Sequence, residues 1–230
     1  MSGQVWANVT IDWLSSERLT YELDLEPKTQ PVVRAAAPTW LGGDATPHVE
    51  YALASWIDLL SEVDVGFMDQ SGDGETVTVT PRIGAQLHIL SRILRPHAAS
   101  GAAREKLPRR RLVVGSLLRL ENQNTFHSTG AASTSWRLRD RFETSYPLNR
   151  PKQTSDGAVY LTADGELFMP VDHSTSGGIV SETRVRAGIG LRQSFAWRFE
   201  ALYIWTAQRN GAGALVPKNY AIDVRVRHAL

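Results

Sequence analysis

The sequence contains no cysteine, and its runs of hydrophobic residues are short. Without cysteine there can be no disulfide framework, no thiolate metal site and no cysteine nucleophile. No stretch approaches the ~20 consecutive apolar residues that a membrane-spanning helix needs. These absences exclude helical membrane proteins and small domains held together by disulfides.

An excess of charge of one sign is also missing, because 25 lysines and arginines balance 24 acidic residues. Neither half of the chain is basic enough to predict nucleic-acid binding. The length of 230 residues fits one large all-β barrel. No internal repeat or domain boundary is visible, so we predict a single domain over residues 1–230.

Apolar and polar residues alternate with a period of two, which is typical of β-strands. The alternation predicts eleven strands, at residues 4–14, 17–26, 48–53, 57–67, 76–89, 111–123, 136–148, 158–171, 183–193, 197–208 and 220–230. Single-chain bacterial barrels normally have an even number of strands, so we expect about twelve. The twelfth would lie in residues 32–41, or would arise from a hairpin at Asp164-Gly165.

Alternation fits a soluble barrel with its apolar face inward as well as a membrane barrel with that face outward. Most predicted strands have 11 to 14 residues, whereas globular strands usually have ~5 to 6 and tilted membrane strands ~9 to 11. We therefore expect an antiparallel up-and-down transmembrane β-barrel. A soluble barrel that binds an apolar ligand remains an alternative.

The polar faces of the predicted strands are densely charged. An arginine that faces lipid at mid-membrane costs ~2 to 4 kcal/mol, so these faces must line a wet or ion-paired interior. The predicted lumen-lining residues are Arg119, Glu121, Arg137, Arg139, Arg141, Glu143, Arg184, Arg186, Arg192, Arg225 and Arg227. Carboxylates that could pair with the arginines are Glu22, Asp24, Glu50, Asp58, Glu62, Asp64 and Glu200.

Aromatic residues on the apolar faces also favour a membrane. Trp136 and Tyr146 lie ten residues apart on one face, the spacing expected of two interfacial girdles. The predicted membrane-interface aromatics are Trp13, Tyr21, Trp136, Tyr146, Trp197, Trp205 and Tyr220. Asp140 lies on the same face as Trp136 and interrupts the pattern.

Nearly the whole chain resembles a family of Gram-negative outer-membrane barrels known only as a domain of unknown function. The resemblance rests on the Trp6 strand, the Trp136-Arg-Leu-Arg-Asp-Arg-Phe-Glu strand, Gly165-Glu-Leu-Phe, Arg184-Val-Arg-Ala-Gly-Ile-Gly-Leu and the closing strand. It implies an outer-membrane barrel of about twelve strands and supplies no catalytic residues. One departure is the end of the chain, His228-Ala-Leu230, where such barrels usually carry an aromatic residue.

Residues for catalysis or metal binding are not evident. Outer-membrane hydrolases place a serine and a histidine on neighbouring strands, but His127-Ser128 and His173-Ser174 are sequence neighbours that point to opposite faces in an extended segment. The six histidines show no ligand spacing. Asp69, Asp73 and Glu75 do not match a calcium loop. We predict no enzyme, no metal and no cofactor.

Gly188-Ile-Gly190 lacks the third glycine of a dinucleotide-binding motif. We expect these glycines to leave room inside the barrel for Arg184 and Arg186.

The sequence therefore predicts a porin-like barrel in the bacterial outer membrane, either a narrow channel for small polar solutes or a closed structural or accessory barrel. A membrane-embedded lipid hydrolase is the catalytic alternative. Expected partners are outer-membrane lipids, the outer-membrane assembly machinery and a protein bound through the loops, but no nucleic acid. A secretory signal is not visible at the N-terminus, so either it has been removed or the expected outer-membrane localisation is wrong.

Overall fold

The computed structural model describes residues 2–32, 40–70, 74–90, 112–171 and 179–230. All regular structure in these ranges is β-strand. The strands are β1 (Ser2–Leu14), β2 (Leu19–Val32), β3 (Trp40–Ala54), β4 (Ile57–Gln70), β5 (Gly74–His88), β6 (Val113–His127), β7 (Ala132–Pro147), β8 (Ala158–Pro170), β9 (Glu182–Arg192), β10 (Trp197–Arg209) and β11 (Leu215–Ala229). Each predicted segment falls on one of them. Within the described ranges, no helix is long and apolar enough to cross a membrane.

The strands form one closed barrel in which each strand pairs with its sequence neighbours and β1 pairs with β11. The prediction of an all-β barrel is confirmed, but the predicted count of about twelve is wrong because the described strands number eleven. Residues 158–170 form one continuous strand and do not fold back at Asp164-Gly165. The other proposed position, residues 32–41, lies mostly outside the described residues.

The odd number of strands changes how the barrel closes. Consecutive strands are antiparallel, so the first and eleventh run in the same direction and pair in parallel, from Ser2↔Asn219 to Asp12↔Ala229. The expectation of a purely antiparallel barrel is therefore wrong at this one seam. We call the rim where β1 begins the N-terminal rim, and the rim where β11 ends the C-terminal rim.

Apolar side chains face outward and charged side chains face inward, which inverts the distribution of a soluble protein. On the outer wall, Ile83, Phe142 and Ile222 are more than half exposed. On the inner face, Glu121 and Asp223 have no exposed surface. This is the orientation opposite to the one that a soluble barrel with an apolar ligand requires. A small apolar cluster of Trp6, Ile204 and Ala221 lies inside the barrel towards the N-terminal rim.

Candidate functional site: the charged lumen

The lumen contains a cavity of about 1110 Å³ that is lined mainly by charged side chains. All predicted lumen residues line this cavity except two: Glu121 lies buried beneath the arginines, and Arg192 lines a smaller neighbouring cavity. Those that line it are Arg119, Arg137, Arg139, Arg141, Glu143, Arg184, Arg186, Arg225 and Arg227. Alternation brings them together because every second residue of each strand faces inward.

Two buried carboxylates, Glu121 and Glu166, hold most of these arginines. Oε1 of Glu121 accepts a hydrogen bond from Nη1 of Arg139 at 3.2 Å, and Oε2 accepts one from Nε of Arg137. Oε1 of Glu166 accepts a hydrogen bond from Nε of Arg139 at 2.5 Å. Arg184 and Arg186 each approach Oε2 of Glu166 to 3.5 Å. Glu166 therefore bridges arginines of the two strands that flank it, and Glu121 pairs with two arginines of β7.

Arg119 extends this network across a glycine. Its Nη1 donates to Oε1 of Glu62 at 2.7 Å, although β5 lies between the two strands that carry them. The path crosses Gly84, where an added Cβ would lie 2.7 Å from Cγ of Arg119. Glu62 also accepts a hydrogen bond from Arg82 at 3.2 Å. The ion-paired network therefore runs along the wall from β4 to β9.

The lumen has an acidic side and a basic side. The acidic side is formed by β2 to β4, whose carboxylates at the cavity are Glu22, Asp24, Glu26, Asp44, Glu50, Asp58, Glu62 and Asp64. The cations of these strands that line the cavity are Lys28 and, when protonated, His48. On β6 to β11, arginines outnumber carboxylates at the cavity. Because β3 and β8 lie half a circumference apart in the strand order, the field points across the lumen.

This separation was not predicted from the sequence, and neither were Glu26, Lys28, Asp44, Arg82 and Arg198 as lumen residues. The signal was present, because each of them occupies the polar phase of an alternating strand. Arg82 follows Pro81, and Lys28 follows Pro27, so proline separates each of these cations from the apolar pattern. Extending the alternation through these prolines would have identified both.

Gly188 and Gly190 make room for side chains other than the predicted ones. An added Cβ at Gly190 would lie 2.2 Å from Cζ of Tyr160, and one at Gly188 would lie 2.0 Å from the carbonyl oxygen of Ala201 and 2.7 Å from Cδ2 of Leu202. The expectation that they accommodate Arg184 and Arg186 is therefore wrong. Tyr160 lies across β9 and donates a hydrogen bond to Oε1 of Glu200 at 2.6 Å.

The predicted interface aromatics lie on the outer wall and fall into two groups. Four lie towards the C-terminal rim: Trp13, Tyr21, Tyr146 and Trp197. The others, Trp136, Trp205 and Tyr220, lie towards the N-terminal rim. The Trp13 and Tyr21 rings stack at 6.1 Å. Tyr203, which was not predicted, stacks on Tyr220 at 6.3 Å.

Asp140 is the charged residue that lies farthest from both rims on the outer wall of the described strands. Its register partners are Leu118 on β6 and Leu167 on β8. Oδ1 of Asp140 accepts a hydrogen bond from Oγ of Ser116 at 2.8 Å. The interruption seen in the sequence is therefore a real polar group within an apolar surface.

The described histidines lie beside different neighbours. Nε2 of His88 lies 2.7 Å from Oδ2 of Asp58, and Nδ1 of His48 lies 3.4 Å from Oε1 of Glu22. His228 packs on the outward-facing Trp197 at 4.2 Å. Within the described ranges, no serine hydroxyl is hydrogen-bonded to a histidine ring, and no cluster of three His, Asp or Glu could hold a metal. His97, His173 and Asp73 lie outside the described residues.

Comparison with known proteins gives a family and a similar solved structure. Residues 3–216 match the family described as "Protein of unknown function (DUF2490)". A solved structure of the NanC porin, in a rhombohedral crystal form, has 10% sequence identity and a TM-score of 0.46, with 99% of each chain covered. Among proteins with curated descriptions, none matches. The resemblance to a family of unknown function is confirmed, and the chain belongs to the DUF2490 family.

Proposed function

We propose that this protein is an integral outer-membrane β-barrel of a Gram-negative bacterium and that its lumen is a narrow pathway for small polar solutes. The observation that carries the proposal is the combination of an apolar outer wall with a charged cavity of about 1110 Å³ inside it. Large apolar side chains in water would make a protein aggregate. The same side chains are stable in contact with lipid without being buried by other protein.

The dimensions of the wall support a membrane position. The strands have 11 to 16 residues, enough to cross a hydrocarbon layer when tilted. Trp136 and Tyr146 lie ten residues apart on β7, which is ~33 Å along the strand and ~25 Å along the barrel axis at a tilt of about 40°. That height matches the ~25 Å apolar band of outer-membrane barrels. The proposed partners are accordingly outer-membrane lipids and the machinery that inserts barrels.

The charges support a class of solute. An acidic side opposite an arginine-rich side aligns a molecule that carries both a negative and a positive group, since each group is attracted to a different wall. An uncharged apolar solute gains nothing there and loses contact with water. We therefore propose small zwitterionic or anionic solutes that enter by diffusion.

Conductance across a planar lipid bilayer tests the channel. Purified, folded protein should give discrete steps of current in potassium chloride, and the current should fall when a zwitterionic or anionic solute occupies the lumen. A folded barrel without conductance in several salts would refute the channel. The ion-paired network from β4 to β9 would then support the second proposed function, a closed structural or accessory barrel that binds a protein partner through its loops.

Membrane location is tested separately. The protein should fractionate with outer membranes and should migrate differently on a cold detergent gel before and after heating, as closed barrels do when they unfold. Recovery as a monodisperse protein without detergent would refute the membrane proposal. We also propose that the protein is not an enzyme. Turnover of phospholipid or lipopolysaccharide that is lost in His88→Ala would contradict this, because His88 is paired with Asp58.

A further inference from the structure

Three arginines lie side by side at one level near the C-terminal rim. Arg198 on β10 is the direct register partner of Arg192 on β9 and of Arg227 on β11. All three side chains face the interior. Like charges directly opposite each other across strands destabilise a sheet unless other groups neutralise them.

Only one member of this row is neutralised by neighbouring carboxylates within the described residues. Nη2 of Arg227 donates to Oδ1 of Asp12 at 2.8 Å and to Oε2 of Glu22 at 2.5 Å. Within the described residues, no carboxylate lies within 4 Å of Arg192 or Arg198 to form an ion pair. Arg192 does have weaker partners, because its Nη2 donates to the carbonyl oxygen of Phe195 at 3.4 Å and Asp156 attracts it at longer range. Nε of each of the two arginines is buried and lacks a hydrogen-bond acceptor. A buried donor without an acceptor costs about 1–3 kcal/mol, more when it is charged.

A cavity of about 180 Å³ lies next to this arginine pair. It is lined by three arginines and two carboxylates. These are Arg192, Arg198, Arg227, Asp12 and Glu50, and the remaining lining residues are Leu14, Thr20, Phe195, Ala196 and Ala229. Arg198 also lines the large lumen cavity, so it stands at the junction of the two spaces. At about 30 Å³ for each water molecule in the liquid, the smaller cavity accommodates an oxyanion group of a few heavy atoms.

We infer that Arg192 and Arg198 form an oxyanion-binding site that takes the carboxylate or phosphate group of a small solute. A guanidinium group offers N–H donors in a planar fork that matches two oxygens of either anion. One oxyanion between the two forks supplies the missing acceptors and removes the repulsion between the arginines. The third arginine is already paired with Asp12 and Glu22, so the site consists of the forks of Arg192 and Arg198.

In the proposed channel, this site selects solutes that carry an oxyanion at the C-terminal rim. This role in selection rests on the proposed function. Binding itself does not require conduction. The two ideas can therefore fail separately: a barrel that binds anions without conducting keeps the site and loses the channel, and a conducting barrel that does not bind anions does the reverse.

Isothermal titration calorimetry on the full-length folded protein in detergent tests the site, with sodium acetate and inorganic phosphate as separate probes in a buffer of weakly binding anions. We expect saturable binding of at least one probe, and the two titrations show whether the site prefers a carboxylate or a phosphate. The double variant R192Q/R198Q should bind at least ten-fold more weakly. The single variant R198K, which keeps the charge but loses the fork, should bind with intermediate affinity.

Arg150→Gln is the matched control, because Arg150 is an exposed arginine on the β7–β8 connection at the same rim. It should bind like the wild type. Heat-modifiable migration establishes that each variant is folded, and removal of two unneutralised charges should not unfold the barrel. Equal binding by wild type and R192Q/R198Q, or no saturable binding of either probe by the wild type, would overturn the inference.

Discussion

Nε of Arg139 lies 2.5 Å from Oε1 of Glu166, and both side chains are buried in the wall of the lumen. The two residues are on neighbouring strands but are not direct register partners, since Glu166 is opposite Arg141 and Arg139 is opposite Phe168. Arg139 reaches diagonally between Glu166 and Glu121. Its charge is therefore shared by two carboxylates on opposite sides of β7.

Replacing Arg139 by methionine should lower the free energy of unfolding by about 3–5 kcal/mol, because it leaves the buried Glu166 without its closest cation and removes one of the cations paired with Glu121. Denaturant unfolding of the lipid-reconstituted protein measures this loss. Arg141→Met is the control: Arg141 and Glu143 are 3.4 Å apart and partly exposed, so its loss should cost about 1 kcal/mol or less. Equal effects of the two changes would contradict the role of Arg139.

Gly190→Ala should destabilise the barrel by about 1–3 kcal/mol, because the new methyl group would collide with the ring of Tyr160. The shift in the midpoint temperature of unfolding is measured by heating samples and separating the folded and unfolded bands on a cold detergent gel. Gly165→Ala is the matched change, since nothing lies within 4 Å of an added Cβ there. A second variant, Gly190→Ala with Tyr160→Ala, should remove the collision. If Gly190→Ala and Gly165→Ala unfold alike, Tyr160 does not pack over Gly190.

The parallel seam can be trapped covalently, because the chain has no native cysteine. Ala7 and Val224 are register partners across β1 and β11. The double variant A7C/V224C should form an intramolecular disulfide on mild oxidation, since neighbouring strands bring Cα atoms within bridging range. The crosslinked protein should migrate like the folded wild type on a cold detergent gel. Its migration should change when the disulfide is reduced. A7C/Y220C should not crosslink, because Tyr220 lies four residues from the register partner of Ala7 on β11. Crosslinking of A7C/Y220C but not of A7C/V224C would exclude this pairing of β1 with β11.

Asp140→Leu should stabilise the protein in a lipid bilayer by about 1 kcal/mol. The reason is that a carboxylate facing hydrocarbon is unfavourable at mid-depth, although less so than an arginine, and the lost hydrogen bond from Ser116 offsets part of the gain. Unfolding in lipid vesicles measures the change. Asp69→Leu, near the N-terminal rim on the same outer wall, should have little effect. Destabilisation by Asp140→Leu in lipid would argue against a lipid-facing wall.

Asp24→Asn should shift the ion selectivity of the proposed channel towards anions. Asp24 lines the lumen on its acidic side, where Thr10 donates a hydrogen bond to it, so the amide keeps a similar shape without the charge. Reversal potentials in a potassium chloride gradient report the shift. The same measurement on Arg141→Gln, on β7 about half a circumference away, should move selectivity towards cations. Shifts of the same sign in both variants would contradict a transverse field.

The alternation of side chains along each segment was sufficient to predict eleven strands and their two faces. Glu121 and the arginines of β7 were assigned to the interior from the sequence because successive residues of a strand point to opposite faces, whatever the strand pairs with. The outward direction of the apolar faces also followed from the sequence, because the cost of arginine in hydrocarbon does not depend on the partner strand.

Properties that depend on pairing between distant strands needed the tertiary structure. The parallel seam joins residues more than 200 positions apart, such as Asp12 and Ala229, and no local pattern carries that information. The reach of Arg119 over Gly84 to Glu62, and the packing of Tyr160 over Gly190, depend on which strands are neighbours and on their register. The sequence alone thus determined which side chains face the lumen. Only the closed barrel decided which charges meet, and which two arginines near the C-terminal rim form no ion pair among the described residues, because ion pairing depends on distance in space.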